Sequence, residues 1–238
     1  MIKFRSNSIV LWGDSHSLET VKFFVANYSG LGGADIIHVG DLGFGFSSKD
    51  SDYNRISQIS KAAKHRDINL YLLRGNHDDP HFWNQPKESS NLFFVSDYSE
   101  AIFPNGKTVL MVGGSISIDR FCRKLNVSYW EDEGTIYKKV DKVHDMLIAH
   151  DAPSYFNNST ESLSTFMIRG DKALFDIDPT LKRDLINQRE IIDKIVIESR
   201  AKYIWSGHYH NSKSERLGDI IYRCLGINEF LTIDADAL

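Results

Sequence analysis

Five short segments of this 238-residue chain concentrate side chains that bind metal ions: Asp14-Ser15-His16, Gly40-Asp41, Gly75-Asn76-His77-Asp78, Ala149-His150-Asp151 and Gly207-His208-Tyr209-His210. Carboxylates, an amide oxygen and imidazoles, with no thiolate, form a mixed O/N donor set. Such a set suits Mn, Fe, Zn, Co or Ni and argues against Cu(I) or an iron–sulfur cluster. So many carboxylates and imidazoles with one amide are too many for one tetrahedral zinc but suit two ions sharing a carboxylate. Two ions roughly 3.5–4 Å apart form the clamp used for in-line displacement at phosphorus. The chemistry predicted is phosphoester hydrolysis.

Each segment follows an apolar, β-like run: Ile9-Val10-Leu11-Trp12, Ile36-Ile37-His38-Val39, Leu70-Tyr71-Leu72-Leu73, Met146-Leu147-Ile148 and Tyr203-Ile204-Trp205. Open α/β sheets place their sites beyond the carboxyl ends of their strands, so five such ends describe one pocket. His208 and His210 are two apart, as are Asp14 and His16, and on a regular strand each pair would face one side. Between the strands, Leu18, Val21, Phe24, Val25 and Tyr28 recur at helical spacing behind Ser17 as a cap, and Tyr53, Ile56, Ile59 and Ala63 do so after Ser51. A third helix is predicted from Asp178-Pro179 through Leu181, Leu185, Ile192 and Ile195, with proline at the first helical position. Thr108–Val112 and Ile220–Cys224 read as further strands. Strand–helix alternation in the first part suggests βαβ units. With no repeat, low-complexity tract or linker, residues 1–238 read as a single domain.

Asp-x-His, Gly-Asp, Gly-Asn-His-Asp, a lone His after a strand and Gly-His-x-His, in that order, resemble the calcineurin-like metallophosphoesterases, from about Ile9 to Leu225. The stretch Gly113-Gly114-Ser115-Ile116-Ser117-Ile118-Asp119-Arg120 is similar to one in small bacterial and phage members. The resemblance implies a four-layer α-β-β-α sandwich: two mixed β-sheets flanked by helices. It implies that Asp14, His16 and His210 hold one metal, that Asn76, His150 and His208 hold a second, and that Asp41 bridges them. His77 would face the substrate phosphate as a cationic stabiliser or a proton donor, with Asp78 hydrogen-bonded to it to fix its tautomer and raise its pKa. The cofactors implied are two divalent ions, Mn²⁺ first, with Fe, Zn, Co or Ni as alternatives. A hydroxide bridging them would attack phosphorus in line. Gly40-Asp41-Leu42-Gly43-Phe44-Gly45-Phe46 lacks the arginine that follows this motif in the superfamily's Ser/Thr protein phosphatases, and the third motif ends in Asp78 rather than Glu, which disfavours that branch.

Each motif alone has a structural reading, since Gly-Asp after a strand is usually a turn; the ordered set favours function. Other histidines read as structural: His38 as a hydrogen-bonded core residue, His65 as a cation at a helix C-terminus, His144 as exposed, and His81 as a surface residue with the pocket mouth in reach. The net charge of −4 gives no broad basic footprint for duplex binding, so nucleic acid is a possible but unindicated partner. No apolar run is long enough for a membrane. The N-terminus lacks a signal core, and Cys122 and Cys224 have no redox or metal spacing. A cytoplasmic protein with free thiols is expected, its partner a small phosphorylated substrate.

Two segments, Asp119 to Gly134 and Ser154 to Asp178, are long enough to act as lids or rims. Arg120 and Arg123 could hold a second phosphate, and Tyr129, Trp130, Tyr155 or Phe156 could stack on a base or aryl group; Phe166, Met167 and Phe175 lie in the second segment. Alternatively these aromatics pin the loops to the core. The function predicted is a phosphoesterase acting on nucleotide-like or aryl diesters or small monoesters. The alternatives are a protein phosphatase or nuclease of the same superfamily, and a binding module that kept the fold without the chemistry.

Overall fold

The computed structural model describes residues 1–83, 91–156 and 172–238. In chain order the elements are β1 (Ile2–Lys3), β2 (Ser8–Trp12), α1 (Leu18–Asn27), β3 (Asp35–His38), α2 (Lys49–His65), β4 (Asn69–Leu72), β5 (Leu92–Phe94), β6 (Ser99–Ile102), β7 (Thr108–Val112), β8 (Met146–Ala149), α3 (Lys172–Ile177), α4 (Leu181–Ser199), β9 (Tyr203–Ser206), β10 (Lys213–Leu217), β11 (Ile220–Cys224) and β12 (Phe230–Asp234). Among the described residues the strands form two sheets, ordered β1-β6-β7-β8-β9-β11-β10 and β12-β2-β3-β4-β5. Both are mixed. β2 to β5 run parallel with β12 antiparallel at the edge, and β7, β8, β9 and β11 run parallel between antiparallel β6 and β10.

Strand alternation then dictates the layers. Ile9, Leu11, Ile37, Val39, Tyr71 and Leu73 of one sheet meet Val109, Met111, Met146, Ile148 and Trp205 of the other in a central core. The residues between them point outward. Val10, Trp12, Ile36, Leu70 and Leu72 pack with Leu18, Val21 and Val25 of α1 and Ile56, Ile59 and Ala63 of α2. Leu110, Val112, Leu147, Ala149 and Ile204 pack with Ile192, Ile195 and Val196 of α4. The result is the four-layer sandwich.

The helices start where their caps allow. Ser17 caps α1 by accepting from the Thr20 N–H. Helix α2 begins earlier than its apolar stripe suggests, because Ser48, not Ser51, accepts from the Ser51 N–H, and Asp50 and Asp52 favour its positive end. Helix α4 begins at Leu181 rather than at Pro179: Asp178 stays outside and accepts from the Leu181 N–H at 3.1 Å. Residues 157–171, with Phe166 and Met167, lie outside the described residues. Short or polar strands gave no periodic signal, notably β1, β5 and β10, the last Lys-Ser-Glu-Arg-Leu. Among the described residues, no helix is long and apolar enough to cross a membrane.

The central layer sets the stability. Ile148, fully buried there, should cost about 2–5 kcal/mol on truncation to Ala. Ile197, 70% exposed on α4, should cost less than about 0.5 kcal/mol. Urea unfolding of both variants checks the pair, and equal losses would contradict this layering.

Candidate metal centre

The five loops that carry the motifs leave the same edge of the sandwich. β2, β3 and β4 deliver Asp14, His16, Asp41 and Asn76 from one sheet, while β8 and β9 deliver His150, His208 and His210 from the other. Donor atoms of Asp14, His16, Asp41 and His210 lie within 4.8 Å of one another, as do those of Asp41, His150 and His208. Asp41 belongs to both groups. The Asn76 Oδ1 lies 3.2 Å from His150 Nε2, which places the amide oxygen on the second group. The spacing of Asp14 with His16 and of His208 with His210 does not work through strand pleating as expected. β2 ends at Trp12 and β9 at Ser206, and His16, Asp41, His208 and His210 all adopt left-handed backbone, with φ of 51°, 58°, 65° and 53°. Each such residue costs roughly 1–2 kcal/mol, and these bends aim the side chains inward.

Steric fit explains two motif glycines. A Cβ at Gly75 would overlap Asp41 Oδ1, and one at Gly207 would overlap Asp14 Oδ1. The carboxylates sit against bare backbone.

The centre is electrostatically negative at its heart. Asp14 and Asp41 are buried. Asp14 Oδ2 accepts from the His208 N–H at 2.8 Å, while Oδ1 is buried with no hydrogen-bond partner among the described residues. Asp41 Oδ1 accepts from the His77 N–H at 2.8 Å and lies 3.3 Å from His150 Nε2. Burial alone would depress the His150 pKa, but the Asp41 charge outweighs it and lifts the group to about 10. The Asp14 hydrogen bond likewise raises His210, against its burial. His150 Nδ1 faces the Val39 carbonyl at 2.9 Å, which leaves Nε2 directed at the site, the arrangement that orients an imidazole ligand. An orphaned carboxylate oxygen and imidazoles drawn toward positive charge, in a mixed O/N donor set, fit divalent cations.

Around these groups lies a second ring of contacts that sequence reasoning missed. Ser115 Oγ lies 3.1 Å from His208 Nε2 and donates to Asp151, whose other oxygen accepts from Tyr209. Ser117 Oγ accepts from Asn76 Nδ2 at 3.1 Å and donates to Glu133 at 2.7 Å. Burial pushes Glu133 up to about 7, against the hydrogen bonds from Ser117 and the charge of Arg123. Nothing in the pattern of an isolated Ser or Glu marks these roles; only the fold brings them together.

The role expected for Asp78 is not what the structure shows. Its carboxylate points away from His77 and accepts from the backbone N–H groups of Leu42, Gly43, Phe44 and Gly75. It is fully buried, and burial with the neighbouring Asp41 charge lifts it to about 6. Asp78 therefore shapes the loop that carries Asp41. His77 instead meets Arg123, whose NH2 lies 2.7 Å from Nε2. A guanidinium only donates, so Nε2 is the acceptor. The pKa of His77 is not raised by Asp78 as expected: burial lowers it to about 4, with Asp41 opposing and Arg123 adding to the shift.

Of the rim residues expected from sequence, Arg123 alone touches this group of side chains. Arg120 is bound to Asp178 and Asp184 at 2.5 and 2.9 Å. With Tyr129 it lines a separate cleft of about 660 Å³ between the 116–136 segment and α4. Trp130, 2% exposed, is no stacking surface; it supports Phe46, with ring centroids 5.7 Å apart. Phe156 is buried on Tyr222, and Tyr155 packs on Phe156, so this pair anchors the loop after His150. The aromatic at the mouth is Phe46, 41% exposed and parallel to His77 within 12° at 5.6 Å. It lies in a glycine-broken stretch without periodicity, which hid it. His38 is the core residue expected, bonded to Ser15 and lowered by burial to about 3. His65 closes α2, and His81 pairs with Asp79 on the surface. His144, expected to be exposed, is buried, because β8 follows directly and its N–H donates to the Ser199 carbonyl.

No curated protein matches this sequence. One solved crystal structure superposes over 97% of this chain and 96% of its own, with 12% identity and a TM-score of 0.50, a likeness of fold alone. GAP50, the anchor in the inner membrane complex of Plasmodium, aligns over 92% of this chain and 71% of its own at 11% identity, with a TM-score of 0.40 too low to carry argument. The calcineurin-like phosphoesterase family matches residues 8–212, a span that holds all five motif-bearing loops. The chain belongs to the calcineurin-like phosphoesterases, a family of metal-dependent hydrolases.

Proposed function

We propose that this single-domain phosphoesterase uses a pair of divalent cations, Mn²⁺ foremost, to hydrolyse small nucleotide-like or aryl phosphodiesters. The observation that carries the reading is the placement of buried Asp41 within both donor groups. Asp14, His16 and His210 would hold one cation, Asn76, His150 and His208 the other, and Asp41 both. Bound divalent cations supply Lewis acidity: they neutralise phosphate charge and make water nucleophilic at neutral pH. The remaining work falls to the protein. Arg123, held by Asp119 and Ser117, keeps a fixed positive charge beside His77. With Nε2 occupied by that guanidinium, a neutral His77 carries its proton on Nδ1 and serves as a hydrogen-bond donor rather than a cation. Phe46 supplies an exposed aromatic face beside His77 for a base or aryl leaving group. The net charge of −4 disfavours a nuclease reading.

Chelation should stop hydrolysis and Mn²⁺ should restore it. Asp41→Asn should weaken both cations in calorimetry and lower kcat by at least about 10²-fold, the scale of losing one preorganised electrostatic element. One cation bound with wild-type affinity in that variant would remove the bridging role.

His77→Ala should lower kcat by about 10²–10³-fold with metal content intact. Because the imidazole is held as a hydrogen-bond donor, the loss should be similar for nitrophenyl and for poorly leaving alkyl esters. A loss confined to the alkyl esters would make it a proton donor instead.

Phe46→Ala should raise KM for aryl and nucleotide diesters by about tenfold, the scale of one stacking contact, and leave dimethyl phosphate diesters unchanged. Turnover of a phosphopeptide without diester cleavage would overturn this substrate class.

A further inference from the structure

Asn76 can serve a cation only through its amide oxygen, and the two ends of an amide differ by one rotation. What fixes the rotation is a hydroxyl inventory around Ser117. A serine hydroxyl has one hydrogen and two lone pairs. Here all three are used: the hydrogen goes to Glu133 Oε2 at 2.7 Å, and the lone pairs receive Asn76 Nδ2 at 3.1 Å and Arg123 NH1 at 2.9 Å. Glu133 Oε1 also accepts the Ser117 N–H at 2.6 Å. Both carboxylate oxygens therefore act as acceptors, and Ser117 and Glu133 are buried. With its hydrogen committed to Glu133, the hydroxyl can only accept from Asn76. The amide nitrogen is then turned outward and Oδ1 inward, 3.2 Å from His150 Nε2.

The geometry points to Glu133 as a positioning residue that, through the Ser117 hydroxyl, orients the Asn76 oxygen and anchors the Arg123 that holds His77. This rests on the two-cation reading above and names the buried carboxylate that makes the second cation site competent. Glu133→Gln is isosteric, yet one of its two ends becomes an NH₂ donor. Because the other end must still accept the Ser117 N–H, the new donor faces the Ser117 hydroxyl. The hydroxyl is then free to donate toward Asn76, and the amide turns its nitrogen to the cation.

Mn²⁺ calorimetry at pH 8 tests this. The native protein should bind two ions. Glu133→Gln should keep one at native affinity and weaken the other at least about tenfold, the lower end for losing a group that orients a ligand. Ser117→Ala should do the same, and Ser117→Thr, which keeps the hydroxyl, should restore both. Near-UV circular dichroism identifies a variant that fails to fold; should Glu133→Gln do so, the Ser117 pair decides. Two ions at native affinity in folded Glu133→Gln or Ser117→Ala overturn the proposal, as does equal weakening of both ions, which marks a merely structural role. Fewer than two ions on the native protein instead defeats the two-cation reading itself.

Discussion

Two carboxylates buried between the ends of two sheets govern this molecule. Removing an ionised carboxylate from water costs several kcal/mol even after the protein relaxes, and Asp14 and Asp41 are 0% and 1% exposed. The surroundings answer that cost in kind. Backbone N–H groups of His77 and His208 donate to them, and His150 and His210 shift toward their charged forms in response. One Asp14 oxygen still has no hydrogen-bond partner among the described residues. Breaking such a buried arrangement at one member is strongly destabilising unless another positive charge replaces it. Cation affinity and folding stability therefore draw on the same carboxylates.

Because the candidate ligands come from both sheets, the distance across the centre is set by the packing between them. Leu11, Ile37, Ile148 and Trp205 belong to one continuous core, and the ligand loops start within three residues of these positions or their strand ends. Close-packed interiors transmit small volume changes, and misplacement by about 1 Å can cost 10²-fold in rate. A four-layer sandwich thus suits this chemistry for a mechanical reason. Helices α1, α2 and α4 hold the outer faces, which leaves the strand ends to carry strained loops without loss of register.

The strands that deliver these side chains were legible because each is an apolar run with a polar stop, and their convergence into two donor groups was legible because several residue types recur in order. Both signals are local. Asp78 misled because adjacency in sequence suggested contact with His77, whereas its carboxylate is taken up by backbone N–H groups. Its real partners, the N–H groups from Leu42 to Phe44, are backbone and carry no sequence mark. Left-handed φ at His16, Asp41, His208 and His210 was equally silent, since Asp and His adopt it more often than most residues yet still only in a minority of cases. Such strain persists only where the surroundings over-determine it, and here packed sheets and buried hydrogen bonds do so.

The rim shows the same limit from the other side. Composition offered two arginines and several aromatics as substrate contacts, but a side chain can serve a ligand only if nothing within the protein holds it first. Arg120 is committed to Asp178 and Asp184, and Trp130 to the wall behind Phe46. Arg123 is committed too, with only 8% of its side chain exposed, yet its partners include His77 and Ser117, so its charge is delivered into the centre rather than away from it. Phe46 is the converse: supported from behind and open in front. Charge inside and an aromatic face outside are what the proposed diester substrate would meet at this site.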